Sequence, residues 1–165
     1  YIQRKMVPEK IPSDCIYALA RTEFPFYPVH FDSITIANNV ISNMIYEGKL
    51  LYFVKAMMPG EKDELILGCT PEQLKWCKLN EGQMWAYLIE KKLLFSTEYM
   101  AINKLTRDAP FTSYFPQESP GRAANWIGWQ IVNSFMSRHP GVSLNELMLN
   151  YDYQKILDES EYSPE

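Results

Sequence analysis

The chain has 165 residues, of which 47% are apolar and 14% aromatic, enough for a sizeable core and too apolar for a disordered segment. Its net charge of −4 and pI near 5.3 exclude a general nucleic-acid surface, which needs clustered Lys and Arg; no basic run exceeds Lys91-Lys92. No apolar run reaches the length of a membrane span and no signal peptide is visible.

Tyr1-Ile2-Gln3-Arg4-Lys5-Met6 reads as mid-protein sequence, so the chain is expected to be part of a longer one with any targeting signal upstream. Ser13-Asp14 opens a predicted helix through Ile16, Leu19 and Ala20, which Pro25 ends. Asp32-Ser33 is expected to start a long helix, because Ala37, Ile41, Met44, Gly48 and Leu51 follow the 3.6 period; Pro59-Gly60 closes it. Thr70-Pro71-Glu72-Gln73 combines a hydroxyl N-cap with proline at the first helical position. Gly82 marks an expected break, and helical spacing resumes over residues 84–89.

Residues 106–118, with Pro110, Pro116 and several aromatics, read as an ordered irregular loop. Ser119-Pro120 repeats the cap-plus-proline signal and launches a helix through Trp126, Ile127, Ile131, Val132 and Phe135, stopped by His139-Pro140-Gly141. Ser143-x-x-Glu146 is a capping box, and Asp152 caps the last helix ahead of an acidic tail. The fold class is therefore all-α, mainly helical, with residues 1–165 forming one helical domain. Cys15, Cys69 and Cys77 are odd in number and lack C-x-x-C spacing. They read as unpaired buried thiols, with a Cys69–Cys77 bridge as the alternative.

Glu47 falls at the border of its helix's apolar stripe, roughly 80° from the centre at 100° per residue. A glutamate facing a cleft and a boundary residue paired with Lys or Arg both fit that place. The two histidines, His30 in a proline-rich turn and His139 at a helix end, do not supply a His₂Glu metal set, and a Cys–His nucleophile pair has no local signature. The segment from Ser119 to Gln130 joins a helix N-terminus to Arg122, which suits a carboxylate or phosphate. Its plainer reading is a capped, buried helix, with Gly128 admitting a close neighbour and the tryptophans filling volume. The aromatic loop 111–115 either covers that helix or forms a contact surface. The candidate binding surface is thus Glu47, Lys49, Phe111, Tyr114, Arg122, Trp126 and Trp129.

Met44-Ile45-Tyr46-Glu47-Gly48-Lys49 resembles the helix that supplies the third metal ligand, a glutamate, in zinc peptidases of the gluzincin type. Upstream, Thr22-Glu23-Phe24-Pro25-Phe26 stands where those enzymes carry His-Glu-x-x-His. Thr and Phe replace both histidines, and a phenylalanine offers zinc no donor. Further blocks are Leu93-Leu94-Phe95-Ser96-Thr97, Ala109-Pro110-Phe111-Thr112, Ser119-Pro120-Gly121-Arg122 and Trp126-Ile127-Gly128-Trp129-Gln130-Ile131-Val132. With these, nearly the whole chain resembles the GldB-type gliding-motility lipoproteins.

That resemblance implies the helical C-terminal part of a zincin-like lipoprotein domain whose metal site is lost, with Glu23 and Glu47 as vestigial general-base and third-ligand positions. It implies an outer-membrane lipoprotein facing the periplasm, held by a lipid anchor upstream of these residues. Its partners would be other envelope, secretion or motility proteins, not nucleic acid. The leading expectation is a non-catalytic binding domain with no metal and no cofactor. The alternatives are a metal-dependent hydrolase whose missing ligands lie outside this chain, and a purely structural subunit of a larger assembly.

Overall fold

The structure is a computed structural model and describes residues 7–28 and 36–164. A short 3₁₀ turn at Pro8–Lys10 leads into α1 (Ile11–Glu23). Then follow α2 (Val40–Met57), α3 (Asp63–Leu67), α4 (Pro71–Leu79), α5 (Glu81–Glu90) and α6 (Tyr99–Thr106). The chain closes with α7 (Ala123–Arg138), α8 (Leu144–Leu149) and α9 (Tyr153–Ser160). No strand occurs among the described residues, so the all-α expectation holds. None of the described helices is long and apolar enough to cross a membrane.

Local chemistry sets several boundaries as the sequence indicates. The Thr70 hydroxyl accepts from the Gln73 amide at 3.2 Å, and the Gln73 side-chain oxygen accepts from the Thr70 amide at 3.1 Å. Ser143 and Glu146 close the same reciprocal pair at the start of α8, and Asp152 accepts from the Lys155 amide to cap α9. At the end of α7 the His139 ring stacks on Phe135, with centroids 4.4 Å apart, and its Nδ1 lies 2.8 Å from the Phe135 carbonyl.

Other boundaries differ. The long helix starts at Val40, because the Asn39 side chain caps it by accepting from the Ser42 amide at 2.9 Å. Asp32-Ser33 lies outside the described residues, and Ile36 and Ala37 are not helical. The α4–α5 break falls at Asn80, not Gly82, where the Asn80 side chain turns back to the Trp76 carbonyl at 2.8 Å. Helices α3 and α6 were not expected. Ser119-Pro120 does not open α7. That helix begins at Ala123 behind Arg122, whose φ of 54° is left-handed. Cys77 is buried, but Cys15 is exposed.

Helix α2 is the axis of the fold. Its buried residues run all the way round, from Val40 and Ile41 to Leu51 and Val54, which marks a helix enclosed by others and not an amphipathic surface element. It crosses α7 most extensively and also packs on α1, α6 and α9. The crossing is close because Gly48 and Gly128 face each other. Fully buried Met44, Ile45, Leu50, Ile127, Ile131 and Val132 fill the space beside it, each contributing about 1.5–3 kcal/mol. Glu47, one residue before Gly48, is thereby turned toward α1.

Candidate functional site

Glu47 is 8% exposed, and α1 meets its carboxylate with two side chains. The Tyr17 hydroxyl donates to Oε2, and Arg21 donates through Nη2 to Oε1. The same Nη2 donates to the Tyr17 oxygen at 3.2 Å, so the three groups close a ring. Tyr17 and Arg21 are four residues apart, which places them one turn above the other on a single helix face. Burial, then the Glu47 charge, pushes the Tyr17 hydroxyl well above the usual tyrosine range. Burial works against the Arg21 cation, but Glu47, Tyr17 and Tyr46 outweigh it and raise its pKa. Tyr46 is pushed up to about 12 by burial. Arg21 therefore stays a cation and the neighbouring phenols stay neutral at any physiological pH.

Two cavities adjoin this ring and share Arg21, Glu47 and Arg107 as a common wall. The smaller, about 140 Å³, is completed by Tyr17, Thr106, Asp108 and Arg122. The larger, about 300 Å³, is an open groove lined further by Pro25, Phe26, Tyr27, Asn38, Asn43 and Tyr46. Arg122 reaches the smaller cavity from the left-handed position before α7. Its Nη2 donates to the Leu67 carbonyl at 2.7 Å, while its Nε lies 3.3 Å from Asp108 Oδ1 without forming a hydrogen bond.

The residues placed by sequence at a lost peptidase motif stand elsewhere. Thr22 is exposed and its hydroxyl donates to the Ala18 carbonyl. Glu23 is exposed at the end of α1 and lines neither cavity. Phe26 lies beyond the helix, stacked on Tyr153 with centroids 5.4 Å apart. The pair that does face Glu47 is Tyr17 and Arg21, one and a half helical turns earlier. Their i,i+4 spacing is that of the two histidines in His-Glu-x-x-His, and Ala18 holds the place of that motif's glutamate.

These donors do not fit zinc. A guanidinium has no lone pair to give and places its own positive charge on the carboxylate a metal would need. Among the described residues no three His, Cys, Asp or Glu side chains are grouped to hold a metal ion. His30 lies outside the described residues.

Of the seven residues expected on a binding surface, only Glu47 and Arg122 line one cavity. Lys49, Trp126 and Trp129 are buried, at 1%, 4% and 3% exposure, because the close α2–α7 crossing encloses both helices. The Lys49 ammonium donates to the carbonyls of Met148 at 3.0 Å and Asn150 at 2.6 Å, between the rings of Tyr151 and Tyr153. Trp126 donates its indole N–H to Glu81 at 2.9 Å and packs edge-on against Trp129. Phe111 and Tyr114 are half-buried in the loop before α7.

The N-terminus of α7 is closed as well. The Thr112 hydroxyl accepts from the Ala123 amide at 2.8 Å and donates to the Pro120 carbonyl at 2.8 Å. Sequence reasoning missed Tyr17, Arg21, Arg107 and Asp108. The one local signal was the Tyr-x-x-x-Arg spacing on α1.

Compared with known proteins, residues 1–164 match the family model described as gliding motility protein GldB. No curated protein and no solved structure matches the chain.

Proposed function

Because the chain belongs to the gliding motility protein GldB family, lipoproteins of the bacterial envelope, we propose that it acts there as a non-catalytic binding domain of the gliding and secretion apparatus. Its place in this reading is the outer membrane, facing the periplasm, and its ligand is a segment of another envelope protein. The observation that carries the proposal is the Arg21 guanidinium bonded to Glu47 where a hydrolytic site would need a metal. The Arg21 guanidinium neutralises the one buried carboxylate of the site. The groove that remains is open, partly aromatic and bordered by amides, features suited to an extended peptide.

The test is metal content and turnover on one preparation. The chain is purified without chelator or histidine tag, titrated with zinc by calorimetry, and incubated with an unfolded protein substrate. The expected result is no stoichiometric zinc and no cleavage. Cleavage that is abolished by Glu47→Gln would overturn the proposal in favour of a hydrolase.

A further inference from the structure

The smaller cavity carries more positive charge than its acids neutralise. Arg21, Arg107 and Arg122 line it together with Glu47 and Asp108, so three positive charges against two negative leave a net +1. Glu47 is engaged by Tyr17 and Arg21, and Arg122 is tied to the Leu67 carbonyl and faces Asp108. Arg107 is different. It is exposed, lines both cavities, and among the described residues its guanidinium has no hydrogen-bond or ion-pair partner. The buried Nε atoms of Arg21 and Arg122 also lack hydrogen-bond partners, and both belong to this one cavity.

We infer that this cavity binds the carboxylate of a peptide, held by Arg107 and Arg21, while the adjoining groove receives the residues next to it. The inference rests on the binding-domain reading and names the ligand for the same site. A carboxylate is a planar two-oxygen acceptor that matches the guanidinium fork. Its single negative charge balances the net +1, whereas a phosphate dianion would leave excess negative charge beside Glu47 and Asp108. About 140 Å³ has room for a carboxylate and little more, which forces the rest of the ligand into the 300 Å³ groove. There Phe26, Tyr27 and Tyr46 offer an apolar wall, and Asn38 and Asn43 bring side-chain amides that can pair with a peptide backbone. A chain terminus and an aspartate side chain present the same group.

Four probes separate the possibilities: acetyl-Gly-Ala-Phe with a free carboxylate, its amide, an amide-capped acetyl-Gly-Phe-Asp, and inorganic phosphate. Binding is measured by calorimetry, and the arginine Nε–H resonances of the chain are followed by NMR. At least one carboxylate peptide is expected to bind and to shift the Arg21, Arg107 and Arg122 resonances. The stronger of the two identifies a terminal or a side-chain source. Amide-capping of the terminal peptide, or Arg107→Ala in the protein, is expected to weaken binding roughly ten- to hundred-fold, with partial recovery in Arg107→Lys. Arg107 is exposed, so these variants are expected to keep their fold, which circular dichroism checks. Equal binding of the terminal peptide and its amide, with the aspartate peptide binding no more tightly than that amide, would overturn the carboxylate assignment while the binding-domain reading stands. Displacement of the peptides by stoichiometric phosphate would overturn it in the same way. Hydrolysis of a probe would overturn both readings.

Discussion

Gly48 of α2 and Gly128 of α7 meet backbone to backbone: a Cβ on Gly48 would fall 2.3 Å from the Gly128 carbonyl carbon, and one on Gly128 would fall 1.8 Å from the Met44 carbonyl oxygen. This contact fixes the rotation of α2. Successive residues on a helix point about 100° apart. With Gly48 held against α7, Glu47 is turned to Tyr17 and Arg21 on α1, and Lys49 to the α8–α9 connection. The Glu47-Gly48 pair thus combines a site residue with the contact that aims it.

Alanine at either glycine should destabilise the fold, although alanine is the better helix former by about 1 kcal/mol. Its methyl would meet backbone atoms that cannot rotate away, so the helices must part. Overpacking of this kind costs about 1–3 kcal/mol, and Gly128→Ala should lie at the upper end. Urea unfolding monitored by circular dichroism measures it; unchanged midpoints would show that the crossing is looser than described.

Replacing both α1 partners of Glu47, Tyr17→His with Arg21→His, would build two imidazoles and a carboxylate on facing helices. Zinc affinity should appear in the double variant and be absent from the unmodified chain. Glu47→Gln added to the double variant should then weaken zinc by about 10-fold or more, as loss of a charged ligand requires. Zinc calorimetry reads all three. If the double variant takes up no metal, the two helices stand too far apart for imidazoles to reach.

Lys49 should make stability depend on pH. Its burial lowers the ammonium pKa from the ordinary 10.5 to about 7, so between those values the unfolded chain binds more protons than the folded one. Stability therefore rises with pH across that window. From pH 7 to pH 9 one proton contributes at most about 2.7 kcal/mol. The rise should be absent in Lys49→Met. Denaturation at the two pH values on both proteins checks it, below the range where Tyr151 and Tyr153, both raised by burial, titrate.

Glu81 holds the C-terminal tail to the core, accepting from the Trp126 indole at 2.9 Å and the Tyr162 hydroxyl at 2.8 Å. Glu81→Ala would leave both donors without that acceptor, at a cost of about 1–3 kcal/mol. Tyr162→Phe should cost less, about 1 kcal/mol, because one donor disappears with its bond and Trp126 keeps its acceptor. Thermal unfolding of the two variants gives the order, and a larger loss in Tyr162→Phe would contradict it.

The caps at Thr70, Ser143 and Asp152 were legible in the sequence because each is a bond between residues three apart. The start of α2 was misplaced because Asp32-Ser33 and Asn39 carry equally good capping chemistry, and only the packed helix selects Asn39. Gly128 was legible as a point of close approach, but not its partner. The burial of Trp126 and Trp129 agrees with the plainer reading of their helix, whereas their place with Lys49 on a candidate binding surface does not hold, because indoles and ammonium groups occur at interfaces and in interiors alike.

What the sequence determined by itself was the helical class, the helix ends marked by a local cap or stop such as Thr70, Ser143, Asp152 and His139, and the likeness to gliding-motility lipoproteins carried by the Glu47-Gly48 and Trp126–Val132 blocks, for these are properties of neighbouring residues. Tertiary structure decided what Glu47 touches. Its partners Arg21 and Tyr17 lie 26 and 30 residues away, and Arg122 and Arg107 reach the same cavity from helix ends still farther along the chain. Such a constellation has no fixed spacing, because it depends on how α1 and α7 pack on α2 and not on any bond along the backbone.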